Sequence, residues 1–372
     1  MKDKKILYIT FTNLNATAST GSELRPQKML TAFQENSSDV RYLTGVQNDY
    51  RARKKAYKTA ITWLKDWKPD LCYIEPPSGP LFFPCDRRLI RKLYALHVPI
   101  GLFYRDAYWR FSKLIEDPGD HKSLLAALKN RLIYFMQKRD LRLYYKCCKQ
   151  IYFPTALMSS YFDCAQADAL PPGCTCGINV PAPHNSVPEA IYVGGATERY
   201  GMPLLLSAGQ IVNQEGLKLI IHAVCQEQAW KTFLETHPQY DCPIPWLEVH
   251  HLNAGERLDR LYGECDFAVI PLVKNTYHDF AFPVKLAEYL SHLLPVVSTD
   301  CTETRAFIEQ YEIGLVAEAS PLPFAAALSQ MAENEQLRAD IRLRSISARE
   351  NNLWVKRASK VIRDLTGDDC TD

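Results

Sequence analysis

Between Phe282 and Asp300 the sequence reads FPVKLAEYLSHLLPVVSTD, an apolar stretch in which Lys285 and Glu288 stand three residues apart. Pro283 suits the first turn of a helix, where its missing N–H costs nothing, so the spacing predicts a helix starting near Phe282. The tip of such a helix presents unpaired N–H groups and a partial positive charge, a site for phosphate oxygens. Lys285 adds a full charge beside them. Glu288 lies close to the same face and offers a carboxylate to both hydroxyls of a ribose. This chemistry fits a nucleoside diphosphate, with pyrophosphate at the helix tip and ribose one turn down. The same spacing also fits an exposed ion pair worth about 0.3 kcal/mol, and both readings stand at this point.

The elements around the stretch show how it must be positioned. A chain of 372 residues is long for one domain of about 100–200 residues and comfortable for two. Its hydrophobic fraction of 47% and charged fraction of 23% exclude disordered and collagen-like classes. Short apolar runs (KKILYITF, DVRYLTG, DLCYIEPP, VPIGLFYRD, QIYFPT) alternate with helical patterns, which is how a parallel α/β sheet is written. The segment ADALPPGCTCGINVPAPHNSVPEA, rich in Pro, Gly, Ser and Asn, interrupts the alternation, which restarts with AIYVGG. The expected architecture is therefore α/β, with two Rossmann-like doubly wound domains facing a cleft, where such sheets bind ligands at the carboxyl ends of their strands. The expected boundaries are 1–175 for a first domain, 176–188 for a linker and 189–350 for a second domain. A C-terminal helix over 351–372 would pack back on the first.

Charge divides the chain at the same place. Residues 1–185 carry 28 basic and 16 acidic side chains, a balance of +12, and the remainder carries 44 − 28 = 16 basic and 42 − 16 = 26 acidic, a balance of −10. A basic domain joined to an acidic one suggests a polyanionic surface on one side only. In KNRLIYFMQKRDLRLYYKCCK, Lys129, Arg131, Lys138, Arg139, Arg142 and Lys146 stand beside Tyr134, Phe135, Tyr144 and Tyr145. That mixture suits an anionic membrane interface, and without a recognisable nucleic-acid module no nucleic acid is expected. The first apolar run is too short for a signal peptide or a span, so the expected location is cytoplasmic, at most peripheral on the inner face of the membrane. Twelve cysteines are scattered without the paired spacing of a structural zinc site, and they read as reduced thiols with no metal.

The Phe282 stretch, preceded by LDRLYGECDFAVIPL, resembles the nucleotide-binding half of GT-B glycosyltransferases, close to family 4 (group 1) and its relatives. Their shared pattern is a proline-started helix with a glutamate, a turn and an apolar PVV strand. The glycine turn YVGG, with Gly194 and Gly195, the base-side strand WLEVHHL and the basic first domain extend the likeness over nearly the whole chain. The resemblance implies transfer of a sugar from a uridine or guanosine diphosphate sugar to a saccharide or lipid-linked acceptor, as in cell-surface polysaccharide or glycoconjugate synthesis. No cofactor or obligatory metal is implied. Carried over by position, Glu288 corresponds to the second glutamate of the family's pair and would hold the ribose. The first falls on Phe280, with Asp279 beside it, a departure that touches sugar recognition and the retaining mechanism. Where an Arg and a Lys commonly serve the diphosphate, Gly195 and Tyr200 stand instead. Arg199 and Lys285 are the replacement cations.

Further candidates lie at other strand ends. TASTGSELRP offers a small-residue loop in which Gly21 and Ser22 would let backbone N–H groups approach an anionic donor, or which serves as an ordinary loop. In FYRDAYWRF, Arg105 and Asp106 stand where similar enzymes often carry His-Asp. Asp106 is the candidate general base or sugar-orienting carboxylate, with a structural pairing to Arg105 or Arg110 as the alternative and Glu23 as a weaker carboxylate. His250 and His251 close the base-side strand, and His251 is a candidate for the base. Two rival functions fit the same architecture, a sugar-nucleotide 2-epimerase and a catalytically silent nucleotide- or carbohydrate-binding subunit.

Overall fold

The structure is a computed structural model that describes residues 4–14, 21–111, 124–176 and 185–367. It divides into two compact units, Met1–Gly173 with Trp354–Asp372, and Cys174–Leu353.

In the first unit the chain runs β1 (Ile6–Thr10), α1 (Gly21–Asn36), β2 (Val40–Leu43), α2 (Tyr50–Asp66), β3 (Leu71–Glu75), α3 (Pro84–Ala95), β4 (Ile100–Phe103), α4 (Leu124–Cys147), β5 (Gln150–Phe153), α5 (Ala156–Ser160) and β6 (Ala167–Ala169). The strands form one parallel sheet in the order β2-β1-β3-β4-β5-β6. Every residue of β1, β3 and β4 is buried, as expected of strands covered by helices on both faces. Tyr8, Phe33, Tyr73 and Tyr152 fill the core, with Tyr8 stacked on Tyr73 at 5.9 Å. In the first turn of α2, Arg53 is buried and bonded to Asp86 at 2.8 and 3.0 Å, tying α2 to α3.

The second unit repeats the plan with β7 (Glu189–Val193), α6 (Met202–Val212), β8 (Ile220–Val224), α7 (Glu227–Thr236), β9 (Leu247–His250), α8 (Glu256–Glu264), β10 (Phe267–Ile270), α9 (Thr276–Phe280), α10 (Val284–Ser291), β11 (Val296–Thr299), α11 (Thr302–Tyr311), β12 (Gly314–Ala317), α12 (Pro321–Glu333) and α13 (Glu335–Asn351). Its parallel sheet has the order β12-β11-β10-β7-β8-β9. The winding therefore reverses between β7 and β10, and the carboxyl ends of these two strands frame the crevice where doubly wound sheets bind ligands. The last helix, α14 (Trp354–Thr366), belongs to the first unit and packs along α1. Ser359 Oγ donates to Asn36 Oδ1 at 2.9 Å across that contact.

Two local features differ from the sequence reading. The Pro-rich segment begins with a real edge strand, β6, and its Cys174 forms a parallel bridge with Leu353. Ladder pairing to β5 overrides the weak strand propensity of Ala-Asp-Ala. Residues 177–184 of the expected linker lie outside the described residues. The short helix α9 also went unforeseen, because its N-cap is Asn275, whose side chain accepts the His278 N–H at 2.9 Å, a local signal without an apolar period.

Candidate functional site

The helix that carries Lys285 and Glu288 begins two residues later than its spacing suggested. Pro283 is the N-cap of α10, with extended backbone and no side-chain cap, and Val284 is the first helical residue. The first turn of α10 thus keeps its N–H groups uncapped by any side chain, as an anion site requires. The position of the helix is fixed from below. Buried Tyr289 accepts the Val193 N–H at 3.0 Å through its hydroxyl, which lies 3.5 Å from the Val269 carbonyl. One side chain of α10 therefore reaches both β7 and β10, the strands that flank the reversal point.

Lys285 and Glu288 meet directly, with Nζ 2.6 Å from Oε2. The same carboxylate oxygen accepts the Tyr262 hydroxyl at 3.1 Å. The side chains are 31% and 20% exposed, so the pair is reachable from solvent while its carboxylate is held in place from behind. The ion-pair reading and the ligand reading are therefore compatible, because a diphosphate arriving at the helix tip competes for the same ammonium. Tyr262, on α8, was not singled out in the sequence, where nothing but its position before the strand marks it.

The glycine turn after β7 converges on the same place. Tyr192 donates its hydroxyl to the Gly195 carbonyl at 2.8 Å. A Cβ on Gly194 would lie 2.4 Å from that hydroxyl, and one on Gly195 would lie 2.7 Å from the Tyr200 ring. Gly201, the N-cap of α6, has φ +77° and approaches the end of β10 so closely that a Cβ would sit 1.6 Å from the Pro271 carbonyl oxygen. Only glycine fits there. Arg199 is half-buried and lies over the Tyr200 ring at 4.9 Å, with its Nη2 donating to the Tyr200 hydroxyl at 3.0 Å. His278, buried on α9, has its proton affinity lowered by burial and by the positive charge of Arg199. The turn, α9 and the tip of α10 are thus neighbours at the carboxyl ends of β7 and β10.

Other expected donor residues have structural work in this arrangement. Phe280 is 1% exposed and packs edge-on against Tyr277 at 4.9 Å, so a buried ring stands where the resemblance leads one to expect the first glutamate. Asp279 Oδ1 accepts both the N–H and the hydroxyl of Thr302 at 3.0 Å, capping α11. Phe282 packs edge-on against Phe307 at 5.1 Å. His251 is exposed and its Nδ1 lies 3.0 Å from the Cys225 carbonyl oxygen, whereas His250 turns toward His222. Lys274, in the loop after β10, reaches Asp300 after β11 at 2.7 Å and adds a cation that the sequence reading missed. Its place directly after an apolar strand was the available signal.

The remaining candidates lie in the first unit. Gly21 and Ser22 form the first turn of α1 and not a loop, while Thr17 to Thr20 lie outside the described residues. Glu23 stands in the same first turn, which is favourable for an acidic side chain. Arg105 is committed to the wholly buried Glu75 at 3.1 Å, and Arg25 approaches the other oxygen of that carboxylate at 3.3 Å. Asp106 accepts a hydrogen bond from the Ser78 hydroxyl, and the Gln137 amide holds the Ser78 carbonyl at 2.9 Å. Asp106 is thus oriented by the loop after β3, while Arg105 also reaches Glu75.

Known proteins share this fold. Residues 187–334 match the sequence model of the family described as Glycosyl transferases group 1. Among solved structures, sucrose-phosphate synthase from Thermosynechococcus elongatus superposes with a TM-score of 0.66 at 10% identity, over 97% of this chain and 98% of that one. WaaG, a glycosyltransferase involved in lipopolysaccharide biosynthesis, gives 0.65 at 13% identity, over 98% and 100%. HepE from Anabaena, in complex with UDP, gives 0.62 at 12% identity, over 98% and 100%. No curated protein sequence matches the chain. The chain therefore has the GT-B fold, and its residues 187–334 are similar to the group 1 glycosyltransferases.

Proposed function

We propose that the protein is a metal-independent hexosyltransferase that takes a uridine or guanosine diphosphate sugar as donor and glycosylates a saccharide or lipid-linked acceptor. The observation that carries this reading is the convergence of the uncapped tip of α10, Lys285, Glu288 and the Gly194–Gly201 turn at the reversal point of the second sheet. In this reading the pyrophosphate takes the α10 N–H groups and the Lys285 ammonium, drawing the lysine off Glu288. The released carboxylate then accepts the ribose hydroxyls, while Tyr262 keeps it aimed. Fixed N–H dipoles and a lysine stabilise the leaving diphosphate in place of a divalent ion. Asp106, held by Ser78, is the candidate base for the acceptor hydroxyl. HepE binds UDP and glucose in one of its structures, which supports a uridine donor by analogy of fold.

The acceptor reading draws on α4. Leu128, Leu132 and Phe135, at 71%, 61% and 54% exposure, recur at helical spacing and form an apolar stripe. Arg131 lies 5.8 Å from the Phe135 ring and Lys138 lies 4.6 Å from that of Tyr134. An apolar stripe flanked by cations suits peripheral attachment to an anionic bilayer. Among the described residues no helix is long and apolar enough to cross a membrane. In this reading the enzyme works on the cytoplasmic leaflet in polysaccharide or glycoconjugate synthesis.

A second reading, a silent binding subunit, is favoured by one observation, the buried Phe280 in place of a glutamate. Nucleotide release from a panel of uridine and guanosine diphosphate sugars, with saccharide and lipid-linked acceptors and excess chelator, separates the readings. Acceptor-dependent release supports the transferase. Release without acceptor points to hydrolysis, conversion of the donor to an isomeric nucleotide sugar points to the epimerase, and binding with neither points to the silent subunit.

A further inference from the structure

Away from the α10 tip, three neighbouring strands of the second sheet place ligating side chains on one face. In the parallel register Ile191 of β7 stands opposite His222 of β8, His222 opposite Glu248 of β9, and Val224 opposite His250. Residues two apart share a face, so Glu189, His222, Glu248 and His250 all project from the same side of the sheet. A histidine half-way along a buried strand is unusual, and His222 is only 6% exposed.

Both nitrogens of its ring are engaged. Nε2 lies 2.9 Å from Glu189 Oε2, while Nδ1 lies 3.0 Å from His250 Nε2 and 3.5 Å from Glu248 Oε2. His250 Nε2 and Glu248 Oε2 close a triangle at 3.7 Å. A tetrahedral zinc ion with bonds of about 2.0–2.2 Å holds its ligand atoms about 3.3–3.5 Å apart, and the three sides of this triangle straddle that separation. With the Glu189 carboxylate accepting an Nε2–H of His222, the lone pair of that ring falls on Nδ1, inside the triangle. A carboxylate behind a histidine is the arrangement that fixes ring orientation and tautomer for metal binding. Cys265 groups with Glu189 and His222 and not with Glu248 and His250, and so falls outside the ligand set.

We propose that His222 Nδ1, His250 Nε2 and the Glu248 carboxylate form a binding site for one zinc-class divalent cation, oriented by Glu189. Glu248 and His250 are 56% and 27% exposed, so the ion enters from solvent and keeps a water in its fourth position. A small turn of the His250 ring aims both lone pairs at one point. The ion would staple the edge strand β9 to β8, a stabilising role separate from donor binding at α10. No metal signature is visible in the sequence because the ligands come from different strands and none stands in a paired-cysteine motif.

The test uses the full chain, stripped with chelator, desalted, and titrated with zinc chloride against a chromophoric chelator. The expected result is one equivalent bound with sub-micromolar affinity, and a thermal midpoint raised by saturating zinc. His250→Ala and Glu248→Gln, both at the solvent edge, should each weaken binding at least tenfold while leaving the metal-free circular dichroism unchanged. Glu189→Gln should weaken it by about 10–100-fold, the usual effect of losing an orienting partner, and Cys265→Ser should leave it unchanged. Binding weaker than about 10 μM in the wild type would show that the two histidines share only a hydrogen bond, and would overturn the proposal. So would undiminished binding in both His250→Ala and Glu248→Gln, or its loss in Cys265→Ser, since the ion would then sit elsewhere.

Discussion

Lys285 Nζ lies 2.6 Å from Glu288 Oε2, the same oxygen that accepts the Tyr262 hydroxyl at 3.1 Å. The two contacts differ in kind. Tyr262 is buried, whereas Lys285 is about a third exposed, and a solvent-screened pair of this sort contributes about 0.2–1 kcal/mol. Lys285→Ala is therefore expected to lower the thermal midpoint by no more than about 4 °C. A loss well beyond that, measured by calorimetry, would make the lysine a structural residue and leave its functional reading without support.

Phe280 stands where the family resemblance of the sequence leads one to expect a glutamate, yet it is 1% exposed and packed against Tyr277. Phe280→Glu buries a carboxylate without a partner, at a cost of several kcal/mol, and Phe280→Ala leaves a cavity costing about 3–5 kcal/mol. Both variants should show reduced urea midpoints, and the glutamate should gain no turnover. A stable, more active Phe280→Glu would mean that the ring is displaced toward solvent when donor binds.

Gly201 is set against Pro271 with left-handed backbone. Gly201→Ala must move the turn away from β10, so it should destabilise the second unit and weaken nucleotide binding together. Gly216, also with positive φ but with open space around it, is the control. Gly216→Ala should cost about 1–3 kcal/mol of backbone strain and leave binding intact.

His292, at the end of α10, is 4% exposed, and burial pushes its imidazole down to about 4. Asp259 lies 3.4 Å from its Nε2 but is itself 54% exposed, so solvent screens that attraction and burial prevails. The folded state keeps the ring neutral, whereas the unfolded chain takes up a proton below about pH 6.5. Stability from this residue is full above pH 6.5, falls as pH drops toward 4, and is level below that, a change on the order of 3 kcal/mol. Urea unfolding at pH 7.5 and 4.5 should give a steeper loss for the wild type than for His292→Gln. Equal slopes would show that the ring is protonated in the folded protein.

The stripe on α4 predicts attachment without insertion. Leu132→Glu and Phe135→Glu change exposed residues, so folding should be unaffected while co-sedimentation with anionic phospholipid vesicles falls severalfold. Unchanged sedimentation would place the contact elsewhere or exclude it.

Much of this was legible in the sequence, for identifiable reasons. Buried parallel strands read as continuous apolar runs, so β1, β3, β4, β7, β8 and β10 were visible with their connecting helices, and the doubly wound order followed. The pairing of Lys285 with Glu288 was visible as helical spacing. What stayed hidden depends on contacts remote in sequence. The tie of Arg105 to Glu75 spans 30 residues, Tyr262 reaches Glu288 across 26, and Asp279 caps a helix 23 residues on. His222 and His250 meet only because the register of β8 and β9 sets them diagonally on one face. No local pattern encodes such partners.

The central claim is that a nucleoside diphosphate binds at the tip of α10. Isothermal calorimetry with UDP and GDP, on wild type, Lys285→Ala and Glu288→Ala, tests it most directly. One nucleotide should bind the wild type with a stoichiometry of one. Each substitution removes a charge-assisted contact worth about 1.5–3 kcal/mol, so affinity should fall at least tenfold in both while circular dichroism stays unchanged. Absence of binding by either nucleotide, or wild-type affinity in both variants, would contradict the account and leave Lys285 and Glu288 as a surface ion pair.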